Sequence, residues 1–193
     1  LLTKLFLDHK MTLADVHYFS FFCLFEVDDS GAYHFAGYFS KEWDVNCNCE
    51  NNLACIMVLP PYQTKGYGYF LMQASYELSK LEHRLGTPER PLSDLGRRAY
   101  ISLWCDMVLD MIIELNDVGL PISVASIAES TSMVPEDVFF TMHYLGILKM
   151  QTASLVTIVV PTELLERHRA RKLRRKVPFM QKLLSWTPLV RPS

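Results

Sequence analysis

The sequence predicts an α+β fold, and three observations carry that reading. Strand-length apolar runs separated by turn residues fill the first third. Near the middle, a strand, a glycine-containing loop and a helix follow one another. The remainder has helical periodicity. With 193 residues, 50% of them hydrophobic and 12% aromatic, the chain can bury one real core with a helical tail, and a disordered chain is excluded. No apolar stretch reaches the roughly 18 residues that a membrane-spanning helix requires, so a soluble protein is expected.

The elements follow in order. Leu1-Leu2-Thr3-Lys4-Leu5-Phe6-Leu7 reads as a strand, with neither an initiating Met nor the charge order of a signal peptide; the sequence is expected to be part of a longer chain. Phe19 to Val27 and Tyr33 to Phe39 are strand runs on either side of the turn Asp28-Asp29-Ser30-Gly31, which makes a hairpin or meander. Leu53 to Leu59 is a continuous apolar run ending at Pro60-Pro61, the pattern of a strand buried on both faces.

Tyr62 to Gly68 is a loop, and Tyr69 to Leu81 places Phe70, Ala74, Leu78 and Leu81 at helical spacing. Gly86 to Leu92 is a proline-bracketed loop. Ser93 or Asp94 then caps a long amphipathic helix to about Leu115, with Trp104, Val108, Leu109 and Ile112 toward the core. Beyond Leu120, helices from Ser123 to Ser130 and from Pro135 to Leu145 form a helix-turn-helix pattern, with Ile147 to Val160 supplying wing strands. The expected division is a core over 1–117 and a helix-turn-helix-like segment over 118–193.

Five cysteines (Cys23, Cys47, Cys49, Cys55 and Cys105) form no regular framework, and the odd number speaks for a reducing intracellular compartment. Cys47 and Cys49 are closer than the C-x₂₋₄-C spacing of zinc ligands and no second pair follows, so no metal is expected. The net charge of −2 dictates no partner. The basic run His168, Arg169, Arg171, Lys172, Arg174, Arg175 and Lys176 has the composition of a solvated helix face. A weak nucleic-acid contact through Arg167 to Lys176 is the lesser reading.

The central junction carries the chemistry. The first N–H groups of a helix are unpaired and lie at the positive end of its dipole, so a glycine loop leading into a helix suits an anion. Gly66 and Gly68 allow close backbone approach, and Lys65 adds a positive charge. Taken alone, a bare G-x-G is more often a tight turn before a core helix.

Flanking strings decide between these readings. Gln63-Thr64-Lys65-Gly66-Tyr67-Gly68 resembles the Q/R-x-x-G-x-G/A signature of GNAT-like acetyltransferases. Ala54 to Gln63, Tyr76-Glu77-Leu78-Ser79-Lys80 and Pro88-Glu89-Arg90-Pro91-Leu92-Ser93-Asp94-Leu95-Gly96 resemble, in order and spacing, the catalytic domain of MYST-family histone acetyltransferases. Leu5 to Lys10, Gly37 to Glu42 and Trp186-Thr187-Pro188 are similar to the same family.

The resemblance implies a GNAT-like core, a mixed and mainly antiparallel sheet flanked by helices, with a winged-helix-like C-terminal segment. It further implies acetyl-CoA as co-substrate, histone tails as acceptors, a chromatin-modifying complex as host and a nuclear location. Glu89 falls at the general-base position and Cys55 at that of a proposed acetyl-accepting nucleophile; by itself, an unpaired Cys in an apolar strand is inert packing. Cofactor contacts fall on Ile56, Met57, Val58, Thr64, Lys65, Gly66, Tyr67, Gly68, Tyr69, Ser93 and Ser102. A lysine amine of pKa ~10.4 needs a base at neutral pH, so direct attack assisted by Glu89 ranks above a relay through Cys55.

Thr64 stands where the family commonly has Arg, and Arg90 where it has Lys. The family's zinc finger, normally just upstream, is not in this sequence. The alternative to a lysine acetyltransferase is therefore a catalytically impaired, acetyl-CoA-binding scaffold module. A small-molecule N-acetyltransferase would share the glycine loop but not the strings around Cys55 and Glu89. Lys10 is the local candidate for autoacetylation.

Overall fold

The computed structural model describes residues 18–42, 50–152 and 155–188. The strand-like Leu1 to Leu7, Lys10, Cys47 and Cys49 lie outside these residues. Strands β1 (Phe19–Val27) and β2 (Tyr33–Glu42) pair antiparallel as the expected hairpin. Its turn is built on Asp28, whose carboxylate accepts from the Ser30 and Ala32 amides at 2.8 and 3.0 Å.

The Leu53 to Leu59 run is not one strand buried on both faces. It breaks at Ala54 into β3 (Asn51–Leu53) and β4 (Cys55–Val58), and Ile56, Met57 and Val58 are half-buried. Ser40 of β2 makes the break: its carbonyl accepts from the Ala54 amide at 2.8 Å and its hydroxyl from the Cys55 amide at 3.2 Å. Strand β4 then pairs antiparallel with β2 as the edge of a sheet ordered β1-β2-β4. Strand β3 pairs in parallel with β5 (Thr87–Pro88).

Helix α1 (Tyr67–Leu81) turns Leu71, Met72, Ser75, Tyr76, Leu78 and Ser79 inward, whereas Leu81 of the expected stripe is exposed. The buried sector is wide because α1 touches both the sheet and helix α2 (Asp94–Asp117). Ser75 and Ser79 are accommodated there by donating their hydroxyls back to the Met72 and Ser75 carbonyls.

On α2, Trp104, Val108, Leu109 and Ile112 are all buried, and the Trp104 indole N–H donates to the buried Tyr76 hydroxyl at 2.7 Å. Helices α3 (Val124–Thr131) and α4 (Pro135–Tyr144) pack on α2 and on each other, and an antiparallel hairpin of β6 (Leu148–Thr152) and β7 (Leu155–Ile158) follows.

Helix α5 (Thr162–Leu173) carries most of the basic run, which is largely exposed but partly ion-paired to α2. Arg171 and Arg175 pair with the buried Asp106 of α2, Lys172 pairs with Asp110 at 2.9 Å, and His168 lies between the two carboxylates. Arg167, Arg169 and Arg174 remain exposed.

Candidate active site

The site forms where β4, the N-terminus of α1 and the β5–α2 loop converge. Because β3 is held by β5 while β4 turns to β2, the continuous chain from Asn51 to Val58 changes partner at Ala54. The Glu89 amide donates to the Leu53 carbonyl at 2.8 Å, which sets Glu89 beside that change of partner, opposite a residue two positions before Cys55. Past Glu89 the chain turns through Arg90 and Pro91 into α2, and among the described residues no strand pairs with the outer edge of β4. An unpaired strand edge offers N–H and C=O groups to any extended ligand laid along it.

At the other end of β4, a 3₁₀ turn over Pro60–Tyr62 leads into the glycine loop. Gly66 caps α1 with φ +100°, a left-handed value that glycine adopts without strain. Among the described residues no side chain caps this helix, and its first turn holds no acid, an arrangement that suits an anion. Gly68 faces Val58 of β4, and the Gln63 side-chain amide donates to the Val58 carbonyl at 3.0 Å, which ties the loop to the strand.

The loop's cation is already engaged. Lys65 Nζ lies 3.0 Å from Glu26 of β1 and 5.0 Å from the Tyr62 ring centroid. The Tyr67 hydroxyl donates to the same carboxylate. Hydrogen bonds from Tyr67 and Lys65 hold the Glu26 carboxyl below its ordinary range, and Glu26 in turn pushes the Tyr67 phenol up to about 12. Glu26 was not evident in the sequence as a partner of the loop, since it lies on a strand far upstream.

The structure thus brings together Cys55, Ile56, Met57 and Val58 on β4 and Thr64 through Tyr69 in the loop and first turn, with Glu89 across from them. Cys55 is buried and Glu89 half-buried. Ser93 is the N-cap of α2, its hydroxyl accepting from the Gly96 amide at 3.1 Å, and Ser102 lies half-buried two turns further on. Sequence reasoning missed Thr87 and Asp137, which grip the Glu89 loop. A cleft of about 750 Å³ opens beside that loop, lined among others by Arg90, Leu92, Arg97, Trp104 and Phe140.

An antiparallel sheet with β4 at its edge, a separate short parallel pair, helices packed on them and a glycine-led helix together fit an acetyltransferase core. The model of the MOZ/SAS family matches residues 1–184, and the chain belongs to that family. It is 42% identical over 193 residues to histone acetyltransferase KAT6A of Homo sapiens, covering 98% of this chain and 9% of the relative. It is 40% identical over 190 residues to histone acetyltransferase ESA1 of Candida glabrata, covering 98% of this chain and 41% of the relative. It is 42% identical over 187 residues to histone acetyltransferase of the MYST family 1 of Arabidopsis thaliana, covering 97% and 40%. The chain therefore spans less than half the length of these relatives.

Among the described residues, no group of His, Cys, Asp and Glu could hold a metal ion, and no helix is long and apolar enough to cross a membrane.

Proposed function

We propose that this protein is a lysine N-acetyltransferase that moves acetyl from acetyl-CoA to histone-tail lysines in the nucleus, as part of a chromatin-modifying assembly. The observation that carries the reading is the Glu89 to Leu53 hydrogen bond, which holds a carboxylate-bearing residue beside an open strand edge leading to an uncapped helix N-terminus. Acetyl-CoA is the co-substrate. Its pantetheine arm lies along Ile56, Met57 and Val58 as an added strand, and its pyrophosphate takes the amides of Thr64 to Tyr69 with Lys65 exchanging Glu26 for phosphate. Ser93 and Ser102 complete the contacts from α2. Residues 1–117 form the acetyl-CoA-binding core and 118–193 dock on it.

Glu89 removes a proton from the acceptor ammonium, the free amine attacks the thioester carbon, and the C–S bond breaks as the CoA thiolate leaves and is protonated. Cys55 packs the strand beneath this chemistry. Its amide donates to the Ser40 hydroxyl at 3.2 Å.

The test is transfer from labelled acetyl-CoA to histone-tail peptides by wild type, Glu89→Gln and Cys55→Ala, with acetyl-CoA binding measured in parallel. Loss of a general base lowers kcat by about 10²-fold or more in Glu89→Gln, while Cys55→Ala stays within about tenfold of wild type. Full activity of Glu89→Gln would overturn the base assignment. Acetyl-CoA binding by the wild type without any transfer would make the chain the scaffold module instead.

A further inference from the structure

The loop that carries Glu89 is gripped from the side opposite β3. Gly86 forms a parallel bridge to Met133 in the α3–α4 turn, with the Gly86 amide donating to Ser132 O at 2.7 Å and the Val134 amide to Gly86 O at 3.3 Å. The short strand β5 is therefore sandwiched between β3 and the turn of the helix-turn-helix segment. Two residues beyond that turn's Pro135, in the first turn of α4, is Asp137, with a side chain only 3% exposed.

Asp137 uses both carboxylate oxygens on this loop. Oδ2 accepts from the Thr87 hydroxyl at 2.7 Å and Oδ1 from the Arg90 guanidinium at 2.5 Å. Thr87 and Arg90 bracket Pro88 and Glu89. Arg90 is held on its other side by the Trp104 ring, 5.9 Å from the centroid, and Trp104 is fixed by Tyr76. Backbone bonds to β3 on one side and a bidentate carboxylate on the other leave the Glu89 loop little freedom.

We propose that Asp137 is a positioning residue for the reaction: by clamping Thr87 and Arg90 it fixes where Glu89 presents its carboxylate along β4. The inference rests on the reading of Glu89 as the base. A misplacement of the order of 1 Å in a reacting group can cost about 10²-fold in rate, so a clamp on both flanks of a base has a large effect to protect.

Burial pushes the Asp137 carboxyl above its ordinary range, against the hydrogen bond from Thr87 and the charge of Arg90, so the ionised group is held at a cost in folding free energy. Arg90, with its side chain 57% exposed, stays solvated if its partner is neutralised. Asp137→Asn keeps the shape and is expected to fold.

The experiment is steady-state transfer to a histone-tail peptide by the full chain, with acetyl-CoA Kd measured by calorimetry. The variants are Asp137→Asn, Thr87→Val, Glu89→Gln and the double variant Glu89→Gln/Asp137→Asn. Asp137→Asn is expected to lower kcat about tenfold, with the peptide KM and the acetyl-CoA Kd within about twofold of wild type. Thr87→Val, which removes one arm of the clamp, falls in between. The double variant is no slower than Glu89→Gln, because a misplaced base and an absent base share one loss.

Wild-type kcat in both Asp137→Asn and Thr87→Val, alongside an inactive Glu89→Gln, overturns the clamp and leaves the base standing. So does a further tenfold loss in the double variant, or an Asp137→Asn defect that raises the acetyl-CoA Kd in step with the fall in kcat. Transfer absent in wild type, or undiminished in Glu89→Gln, removes the base reading and this inference together. Should Asp137→Asn fail to fold, Thr87→Val decides.

Discussion

Gly66 and Gly68 sit two positions apart in one loop and do different work. Gly66 is left-handed at φ +100°, and a Cβ there would meet nothing closer than Val177 Cγ2 at 3.7 Å, so backbone conformation and not space makes it glycine. Gly68 lies inside α1, and a Cβ would find only Val58 Cγ2 at 3.9 Å. Gly66→Ala should therefore cost about 1 kcal/mol, a fall of about 2–4 °C in Tm for a chain of this size. Gly68→Ala should leave Tm unchanged or slightly higher, since alanine favours the helix. Gly66→Ala should weaken acetyl-CoA binding by disturbing the loop, whereas Gly68→Ala, at a position where the signature admits Ala, should leave it unchanged. Melting curves and calorimetry on the two variants separate these effects; a normal acetyl-CoA affinity in Gly66→Ala would place the pyrophosphate elsewhere.

Among the elements, α2 has its start in Ser93, whose hydroxyl accepts from the Gly96 amide, with Asp94 in the first turn. Ser93→Ala loses the cap and about 1 kcal/mol. Ser93→Asp keeps an acceptor at the cap and adds a negative charge, so its melting temperature should match wild type while its affinity for the anionic acetyl-CoA falls; unchanged affinity would mean that Ser93 serves the helix alone. That helix was legible in the sequence because its cap, its periodicity and its length all point one way. The break at Ala54 was not. Nothing between Leu53 and Leu59 marks it, because it is imposed by Ser40, a residue of another strand. The glycine loop was legible from Gln63 to Gly68. Its engagement with Glu26 and the clamp of Asp137 on Thr87 and Arg90 were not, since those partners are 39 or more positions apart in sequence and meet only in the folded chain.

On the scale of the whole molecule, the C-terminal helix is fastened to the core by charge. His168, its side chain 1% exposed, faces Asp106 Oδ1 at 3.2 Å through Nδ1 and Asp110 Oδ1 at 2.7 Å through Nε2. Asp106 also accepts from the Tyr69 hydroxyl at 2.9 Å, and the Arg175 guanidinium lies 4.1 Å from the Tyr69 ring centroid, so the fastening reaches the first turn of α1. Hydrogen bonds to Asp106 and Asp110 raise the His168 pKa above its ordinary 6.5 against the opposing effect of burial. Burial pushes Asp106 and Asp110 upward, but His168 and the neighbouring cations outweigh it, and both carboxyls are lowered from 3.8. A raised histidine contributes stability that is full below 6.5 and fades as pH rises through its folded value. Lowered carboxyls contribute above 3.8 and lose it as pH falls through their folded values. The cluster is strongest between those limits, in mildly acidic solution. Thermal unfolding followed from pH 5 to pH 9 should show Tm declining on the alkaline side in the wild type. In His168→Gln, which leaves Arg171, Arg175 and Lys172 to hold the two carboxylates, Tm should start lower and the alkaline decline should flatten. An equally steep decline in both proteins would show that His168 does not titrate with folding and that the fastening rests on the arginines.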